Sequence, residues 1–396
     1  MVLRKPFINY GIIFAVALMM VEFFYPALPM LIKRFDITTQ EAQWLVTIFL
    51  GAAMIAECLM PIILIRISAS TMHYCVWGIG IGASMATLLV DQYGLLVWLR
   101  LLMGLSAGGL IILMRFQIEK AEKTSVKGFH YAVGAVLGCH VIMSIIAPVM
   151  AASLMHHYGW QAIQYIFIMG FIVILPIFIQ WSKKLDLTQW GWSSYVSGVH
   201  YLVHHPASLK QIILAGFIGS VPMCETIFSA FFLVNHFGLS VLQLGIYFSF
   251  IKGCDACVRL LMPYVLTDQN SFSLINLGFG IFVLGILCLL SQGFYDAFIL
   301  YVLGCLCIQM SCNGFLVMAS IDVFADISKY APMTANAWFG TLQFGSCFLA
   351  SAILSLFLVY GFTGFVVFML LNLGLIIVLL RPRYQTSRQF IELREM

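Results

Sequence analysis

Twelve long apolar runs follow one another along the chain, and they constrain its fold more than any other feature of the sequence. Because the hydrocarbon core of a bilayer is about 30 Å thick, a helix needs about 20 apolar residues to cross it. The chain is 62% hydrophobic and 9% charged, whereas about 25% of the residues of a soluble globular domain are charged. The sequence therefore predicts an integral membrane protein. The length of the runs favours helices over the strands of a barrel.

The longest polar interruption, at residues 182–210, divides the runs into two sets of six. We therefore expect an all-α membrane protein with twelve transmembrane helices in two six-helix halves. The predicted divisions are an N-terminal bundle over 1–181, an interfacial linker over 182–210 and a C-terminal bundle with a tail over 211–396. Two such halves are typical of transporters built from repeats, whose substrate site lies near the midplane. The runs lie near 7–31, 41–65, 73–90, 94–114, 128–154, 161–181, 211–235, 241–266, 272–292, 295–319, 332–358 and 361–380.

Lysine and arginine are distributed unequally between the predicted loops. Of the 20 such residues, three lie within spans, two (Lys33 and Arg34) lie in loops on one side, and the other fifteen lie on the side that carries both termini. Cytoplasmic loops are enriched in lysine and arginine, so this bias predicts that both termini are cytoplasmic. The net charge of +4 is thereby explained by topology, and we expect no nucleic-acid partner.

Glu22 lies in the middle of the first apolar run. An ionisable group at this depth costs about 3 kcal/mol or more unless it faces a partner or a water-filled cavity. Burial in a medium of low dielectric constant disfavours the charged form of a carboxyl group. Glu22 is therefore a candidate for proton coupling or substrate contact. The alternative is a carboxylate that is simply paired with an arginine or a hydroxyl group.

Arg100 lies in the fourth run and is the only arginine inside the N-terminal spans. Because its guanidinium is charged at any physiological pH, it needs a counter-charge or a polar cavity. Glu22 and Glu57 are the acids available in the same half, and Glu57, in the second span, is a candidate partner. A functional arginine and a structural ion pair both remain open at this point.

Charged residues are concentrated in the seventh and eighth runs. Lys252, Asp255 and Arg259 are spaced by three and four residues, which places them on one face of a helix, and Glu225 lies in the preceding run. Charges of this number are too costly to face lipid. We predict substrate-binding roles for Glu22, Glu225, Lys252, Asp255 and Arg259. Internal pairing of Lys252 with Asp255, or of Asp255 with Arg259, is the structural alternative.

Four short segments carry recognisable motifs. They are Glu22-Phe-Phe-Tyr-Pro-Ala-Leu-Pro29, the stretch from Arg100 to Gly109 with its spaced glycines, Ala147-Pro148, and Tyr158-Gly-Trp160. Together these segments resemble the major facilitator superfamily, and within it the twelve-span drug:proton antiporters of the bicyclomycin and chloramphenicol multidrug type. The resemblance implies proton coupling through Glu22 and Arg100. It also implies a small-molecule substrate, protons and the lipid bilayer as partners, no cofactor or metal, a monomer, and a bacterial inner membrane location.

The loop between the second and third spans departs from the family pattern. The family has a glycine, an acidic residue and terminal arginines there, whereas residues 61–70 read Pro-Ile-Ile-Leu-Ile-Arg-Ile-Ser-Ala-Ser and keep only Arg66. In the family this loop helps to hold the cytoplasmic face closed. The resemblance therefore implies gating roles for Arg66 and for Pro148 of the fifth-span motif, with the acidic latch of the loop missing.

These observations predict a secondary active transporter that exports a small organic molecule in exchange for protons. The substrate is either a drug-like cation, held by Glu22 and Glu225, or a carboxylate or siderophore-type metabolite, held by Lys252 and Arg259 with Arg100. Import of an anionic polycarboxylate or a metal chelate is the alternative, and a membrane receptor or enzyme is a lesser one. No phosphate-binding G-x-x-x-x-G-K-[ST] motif is present, so we expect no nucleotide hydrolysis.

Overall fold

The computed structural model describes residues 5–124, 126–182, 206–266, 271–312 and 332–395, with four further positions at 196, 199, 200 and 204. These residues form helices and the short connections between them. The helices are α1 (Lys5–Glu22), a 3-10 turn (Tyr25–Ala27), α2 (Leu28–Phe35), α3 (Thr39–Leu64), α4 (Ala69–Thr87), α5 (Tyr93–Thr124), α6 (Val126–Tyr158), α7 (Ala162–Ser182), α8 (Pro206–Asn235), α9 (Val241–Leu266), α10 (Ser271–Tyr295), α11 (Phe298–Gln309), α12 (Pro332–Leu358) and α13 (Gly361–Glu395).

The described helices account for the twelve predicted crossings, with α1 and α2 forming one broken crossing. Ten segments are long and apolar enough to span a membrane, and Phe298–Cys312 is a shorter apolar helix. Helix α4 completes the set. The prediction of an all-α membrane fold is confirmed. The linker over 182–210 lies largely outside the described residues, so the bounds of the two halves stay predictions.

Capping residues set the ends of the helices near the loops. At the start of α3 the Thr38 hydroxyl accepts a hydrogen bond from the Glu41 amide at 3.2 Å, and the Glu41 carboxylate accepts one from the Thr38 amide at 2.8 Å. This reciprocal pair satisfies two amides that the first turn leaves without partners. Ser68 caps α4 by accepting from the Thr71 amide at 3.1 Å. Helix α4 therefore begins at residue 69. The hydropathy had indicated a start near residue 73.

The first crossing breaks just after Glu22, because two prolines follow within seven residues. Pro26 and Pro29 lie in the first turns of the 3-10 helix and of α2, where proline needs no amide partner. At the break the Phe24 amide donates a hydrogen bond to the Val21 carbonyl at 3.0 Å. In a regular helix it would bond to the Met20 carbonyl. Glu22 consequently sits at an irregular point of the backbone near the middle of the crossing.

Because consecutive helices run in opposite directions, the connections lie on two faces. We call the face that carries the start of α1 and the end of α13 the terminal face, and the other the opposite face. Helices α1–α7 meet helices α8–α13 along two lines, α3 against α12 and α6 against α9. The predicted charge bias assigns the terminal face to the cytoplasm.

Polar and small residues hold these two lines together. At the end of α3 near the opposite face, the Gln43 amide donates to the Ser351 carbonyl at 2.5 Å, and the Thr47 and Ser351 hydroxyls lie 2.7 Å apart. Between α6 and α9, a Cβ atom on Gly245 would lie 2.7 Å from the Pro148 carbonyl oxygen. The helices therefore approach backbone to backbone at Gly245, as small residues permit in membrane proteins.

Candidate functional site

The Glu22 carboxylate faces a lysine of the other half. Lys252 of α9 places its Nζ atom 4.0 Å from Oε1 of Glu22, and each side chain is 11% exposed. The second carboxylate oxygen of Glu22 is buried and has no hydrogen-bond partner among the described residues. The pair is therefore a loose ion pair, beyond hydrogen-bond distance.

This pair lies near the middle of the two crossing segments that carry it. Glu22 is 14 residues from Ile8 and 13 from Phe35, the two ends of its crossing (22 − 8 and 35 − 22). Lys252 is 11 residues from the start of α9 at Val241 and 14 from its end (252 − 241 and 266 − 252). Sequence reasoning missed the pairing, because it joins helices from opposite halves whose separation in the chain gives no local signal.

Arg100 is fully buried, but no carboxylate of the described residues lies within 4 Å of it. Its Nη1 atom donates to the Met20 carbonyl at 3.0 Å, and its Nε atom donates to the Leu45 carbonyl at 3.3 Å. The guanidinium also lies 3.8 Å from the ring centroid of Phe24 and 4.4 Å from that of Phe49, within the range of cation–π attraction. Glu57, the candidate partner of Arg100, does not pair with it in this structure.

The contact with Met20 explains how Arg100 is accommodated. The break after Glu22 frees the Met20 carbonyl, and Arg100 supplies the missing donor. Carbonyl oxygens and aromatic faces together take the place of a counter-ion. Arg100 thereby contacts the broken turn two residues before Glu22.

Glu57 pairs instead with Arg115 of α5. Both carboxylate oxygens lie 3.1 Å from Arg115 Nη1, and the Glu57 side chain is completely buried. A Cβ atom on Gly340 of α12 would collide with Arg115 Nη1 and Glu57 Oε2. The ion pair therefore lies against the backbone of the other half, near the terminal face.

Glu225 of α8 lies in a closed pocket of neutral donors. Its Oε1 atom accepts from the Ser229 hydroxyl at 2.6 Å and the Tyr247 hydroxyl at 3.3 Å, and its Oε2 atom accepts from the Gln309 amide at 2.5 Å. Glu225 itself is 1% exposed. Ser229 was readable in the sequence as the residue four positions along the same helix, whereas Tyr247 and Gln309 come from α9 and α11.

The other predicted residues lie in three places: on α9, at the contact of α6 with α9, and in the loop after α3. Asp255 is buried one turn beyond Lys252 on α9, and the side chain of Arg259 lies outside the described residues. The predicted pairing of Asp255 with Arg259 is therefore untested. Pro148 lies at the contact of α6 with α9, where the next amide, that of Val149, donates to the Ser249 hydroxyl at 3.2 Å. Arg66 is exposed beyond α3 and makes no ion pair among the described residues.

Comparison with known proteins gives the family of the chain. A match to the Major Facilitator Superfamily covers residues 10–351. The chain belongs to the major facilitator superfamily. It is accordingly a secondary transporter rather than an enzyme. No curated protein matches the chain at a significant level.

Solved structures of other transporters share the fold of this major facilitator. A point mutant of the nucleoside transporter NupG superposes with a TM-score of 0.65 at 15% identity, covering 96% of this chain and 98% of that one. A bacterial homologue of the human lysosomal transporter Spinster, inward-facing and unoccupied, gives 0.68 at 10% identity and 98% coverage of both chains. A bacterial homologue of the human drug peptide transporters superposes with a TM-score of 0.68 at 12% identity, covering 98% of this chain and 100% of that one.

At these identities the likeness shows the fold alone, so the site must be judged from its own chemistry. In this major facilitator the Glu22–Lys252 pair joins the two halves near the midplane, the position where substrate sites of such folds lie. Arg100 supports it from the N-terminal half, and Glu225 occupies a separate closed pocket in the C-terminal half. The resemblance to the superfamily is confirmed, and the antiporter subtype stays a prediction.

Proposed function

We propose that this major facilitator couples the movement of protons to the export of a small organic molecule by alternating access. The observation that carries the proposal is the loose Glu22–Lys252 pair, which joins the two halves near the midplane at 4.0 Å. We further propose that the chain resides in a bacterial inner membrane as a monomer with both termini in the cytoplasm.

Protonation of Glu22 would remove the charge that Lys252 faces. The attraction between the halves at this point would then disappear, and the buried charge of Lys252 would be left without its counter-ion, which is costly. The buried Oε2 atom of Glu22 has no hydrogen-bond partner among the described residues, so it is a candidate acceptor for a proton or for a cationic group of a substrate. Because both bind the same carboxylate, they compete, and competition is what exchange of substrate for protons requires.

An anionic substrate would behave in the opposite way. It would bind Lys252, leave the Glu22 carboxylate without its counter-ion and thereby favour uptake of a proton at Glu22. Substrate and proton would then bind together, which corresponds to co-transport and suits import. The ammonium of Lys252, which makes no hydrogen bond in the described structure, favours this second candidate function. The charge of the substrate and the direction of coupling are thus linked by one ion pair.

We assign the remaining residues to supporting roles. Arg100 sets the position of Glu22 through the Met20 carbonyl. Asp255 and Arg259 extend the charged face of α9 toward the terminal face, where Arg259 would contact an anionic part of the substrate. Pro148 permits α6 to bend against α9 as the halves move, and Arg66 acts at the terminal face, in the loop after α3.

The test measures how binding of two ions of fixed charge depends on pH. Tetraphenylphosphonium serves as the cation and naphthalene disulfonate as the anion, and thermal shifts of the purified protein report their affinities at pH 6 and pH 8. We expect the cation to bind more tightly at pH 8, by up to about tenfold per pH unit for one competing proton. An anion that binds more tightly at pH 6 would select co-transport instead.

Variants show whether Glu22 is responsible. Glu22→Gln should abolish the pH dependence, whereas Asp296→Asn, which alters an exposed acid of the opposite face, should leave it intact. In proteoliposomes the probe that binds should move in response to an imposed pH gradient. The proposal fails if a probe binds with the same affinity at both pH values and no imposed gradient drives its flux.

A further inference from the structure

Two histidines lie in the segment that joins the two halves at the terminal face. Helix α7 ends at Ser182 and α8 begins at Pro206. Between them the described positions 199, 200 and 204 are helical, and the side chains of His200 and His204 are exposed. These histidines are therefore accessible from water, unlike the charged groups of the crossing helices.

The spacing of His200 and His204 places both rings on one face of the helix. Residues four positions apart are neighbours on a helix surface, and two histidines at this spacing are the zinc ligands of metalloprotease helices. The ring centroids of His200 and His204 lie 3.9 Å apart. Two imidazole nitrogens bound to one tetrahedral zinc ion are about 3.3 Å apart. The two rings are therefore close enough to share one ion.

A hydrogen bond determines which nitrogen of His204 can bind an ion. The Nδ1 atom of His204 lies 2.8 Å from the carbonyl oxygen of His200. Because a carbonyl oxygen can only accept, Nδ1 carries the hydrogen, and Nε2 of the neutral ring carries the lone pair. Histidine ligands of metals usually donate their other ring N–H to a carbonyl or a carboxylate, which fixes the tautomer and the ring orientation. His204 therefore has the hydrogen bonding of a metal ligand, with Nε2 as the ligating atom.

The stacking of the two rings favours the neutral form that binds metals. The ring planes are inclined by 23°, and two imidazolium rings in such close contact would repel each other. Metal ions bind the neutral imidazole. Because the lone pairs lie in the ring planes, the His200 ring must rotate about its Cβ–Cγ bond to aim at the same ion as His204. Exposed side chains make such rotations within nanoseconds.

From this arrangement we propose that His200 and His204 bind one divalent transition-metal ion on the segment between the halves. The two imidazoles supply two ligands, and water fills the other positions. Imidazole suits Zn²⁺, Cu²⁺ and Ni²⁺, whereas Mg²⁺ and Ca²⁺ prefer oxygen ligands. Because one ion can bridge the pair only when their turn is helical, its binding also stabilises that turn. The inference goes beyond the proposed function and does not rest on it.

Calorimetric titration with Zn²⁺ tests the site on the purified full chain without an affinity tag. Exposed thiols, such as those of Cys75 and Cys257, are blocked first, because thiolates also bind zinc. We expect saturable binding whose affinity falls at least about tenfold in His200→Ala and in His204→Ala. The double substitution should cost little more than either single one, because one histidine alone forms no chelate. Both positions are exposed and alanine favours a helix, so the variants should fold.

His156 and His157 at the end of α6 provide a matched control. Both are exposed, but successive residues point about 100° apart around a helix and do not face each other. The double substitution His156→Ala and His157→Ala should leave the affinity for Zn²⁺ unchanged. The proposal is overturned if the unmodified chain shows no saturable binding. It is equally overturned if the control lowers the affinity as much as the loss of His200 and His204 does, because any exposed histidine would then serve.

Electron paramagnetic resonance of bound Cu²⁺ counts the imidazole ligands directly. Each coordinated nitrogen adds to the hyperfine splitting of the spectrum. We expect the pattern of two imidazoles for the unmodified chain and of one for His204→Ala. Identical spectra for the two proteins would reject the site, because the ion would then be held by other residues.

Discussion

Glu22 and Glu225 each lie near the midpoint of a crossing helix, yet their surroundings differ in kind. Glu22 makes no hydrogen bond among the described residues and faces a lysine of the other half at 4.0 Å. Glu225 receives three hydrogen bonds from its own half at 2.5–3.3 Å. An acid held by contacts between halves can change partners when the halves move. One enclosed within a half keeps its partners when the halves move.

The largest expected difference between the two acids is in stability. Glu225→Ala removes the acceptor of three buried donors, and each unsatisfied donor costs about 1–3 kcal/mol, so we expect a loss of more than 3 kcal/mol. Glu22→Gln combined with Lys252→Met replaces the ion pair by neutral side chains of similar volume and leaves no unpaired charge, so we expect a loss below about 1 kcal/mol. Unfolding in detergent, followed by tryptophan fluorescence, measures both. Equal losses would show that the observed contacts do not distinguish the two acids.

A substitution beside a third acid, Glu57, tests whether contacts between the halves are broken during transport. Gly340→Ala would place a methyl group against the Glu57–Arg115 pair, so the halves could no longer close there as they do in this structure. We expect flux in proteoliposomes to fall at least about tenfold, and the free energy of unfolding to fall by about 1–3 kcal/mol, the usual cost of an added methyl group in a packed interior. The matched control is Gly280→Ala on α10, where an added Cβ has no atom within 4 Å. If Gly340→Ala and the control transport alike, this contact is not part of the gate.

The smallest effect is expected at the exposed acid of the C-terminal half. Asp296 pairs with His236, but the side chains are 68% and 43% exposed. Solvent-exposed ion pairs contribute about 1 kcal/mol or less, so Asp296→Asn should change the free energy of unfolding by no more than that. A larger loss in the same detergent unfolding assay would mean that burial does not explain the difference in stability between substitutions at Glu225 and at Asp296.

Much of the fold could be predicted because hydropathy is a local property. Each apolar run corresponds to a helix, and the end of α2 at Phe35 and the capping box at Thr38 and Glu41 follow from neighbouring residues. The candidate site was predicted only in part. Glu22 was identified by the cost of a charge in an apolar run. The candidate partner of Arg100, Glu57, pairs with Arg115 instead, and Arg100 contacts backbone carbonyls and aromatic rings.

The sequence by itself determined which residues must find partners, because the free-energy cost of a charge in an apolar helix depends only on its immediate surroundings. Those residues are Glu22, Glu57, Arg100, Glu225 and Lys252. Only the tertiary structure decided the partners themselves, which lie on other helices: Lys252 for Glu22, Arg115 for Glu57, and Tyr247 and Gln309 for Glu225. Helices far apart in the chain become neighbours through the packing of whole faces, and no single residue encodes that packing.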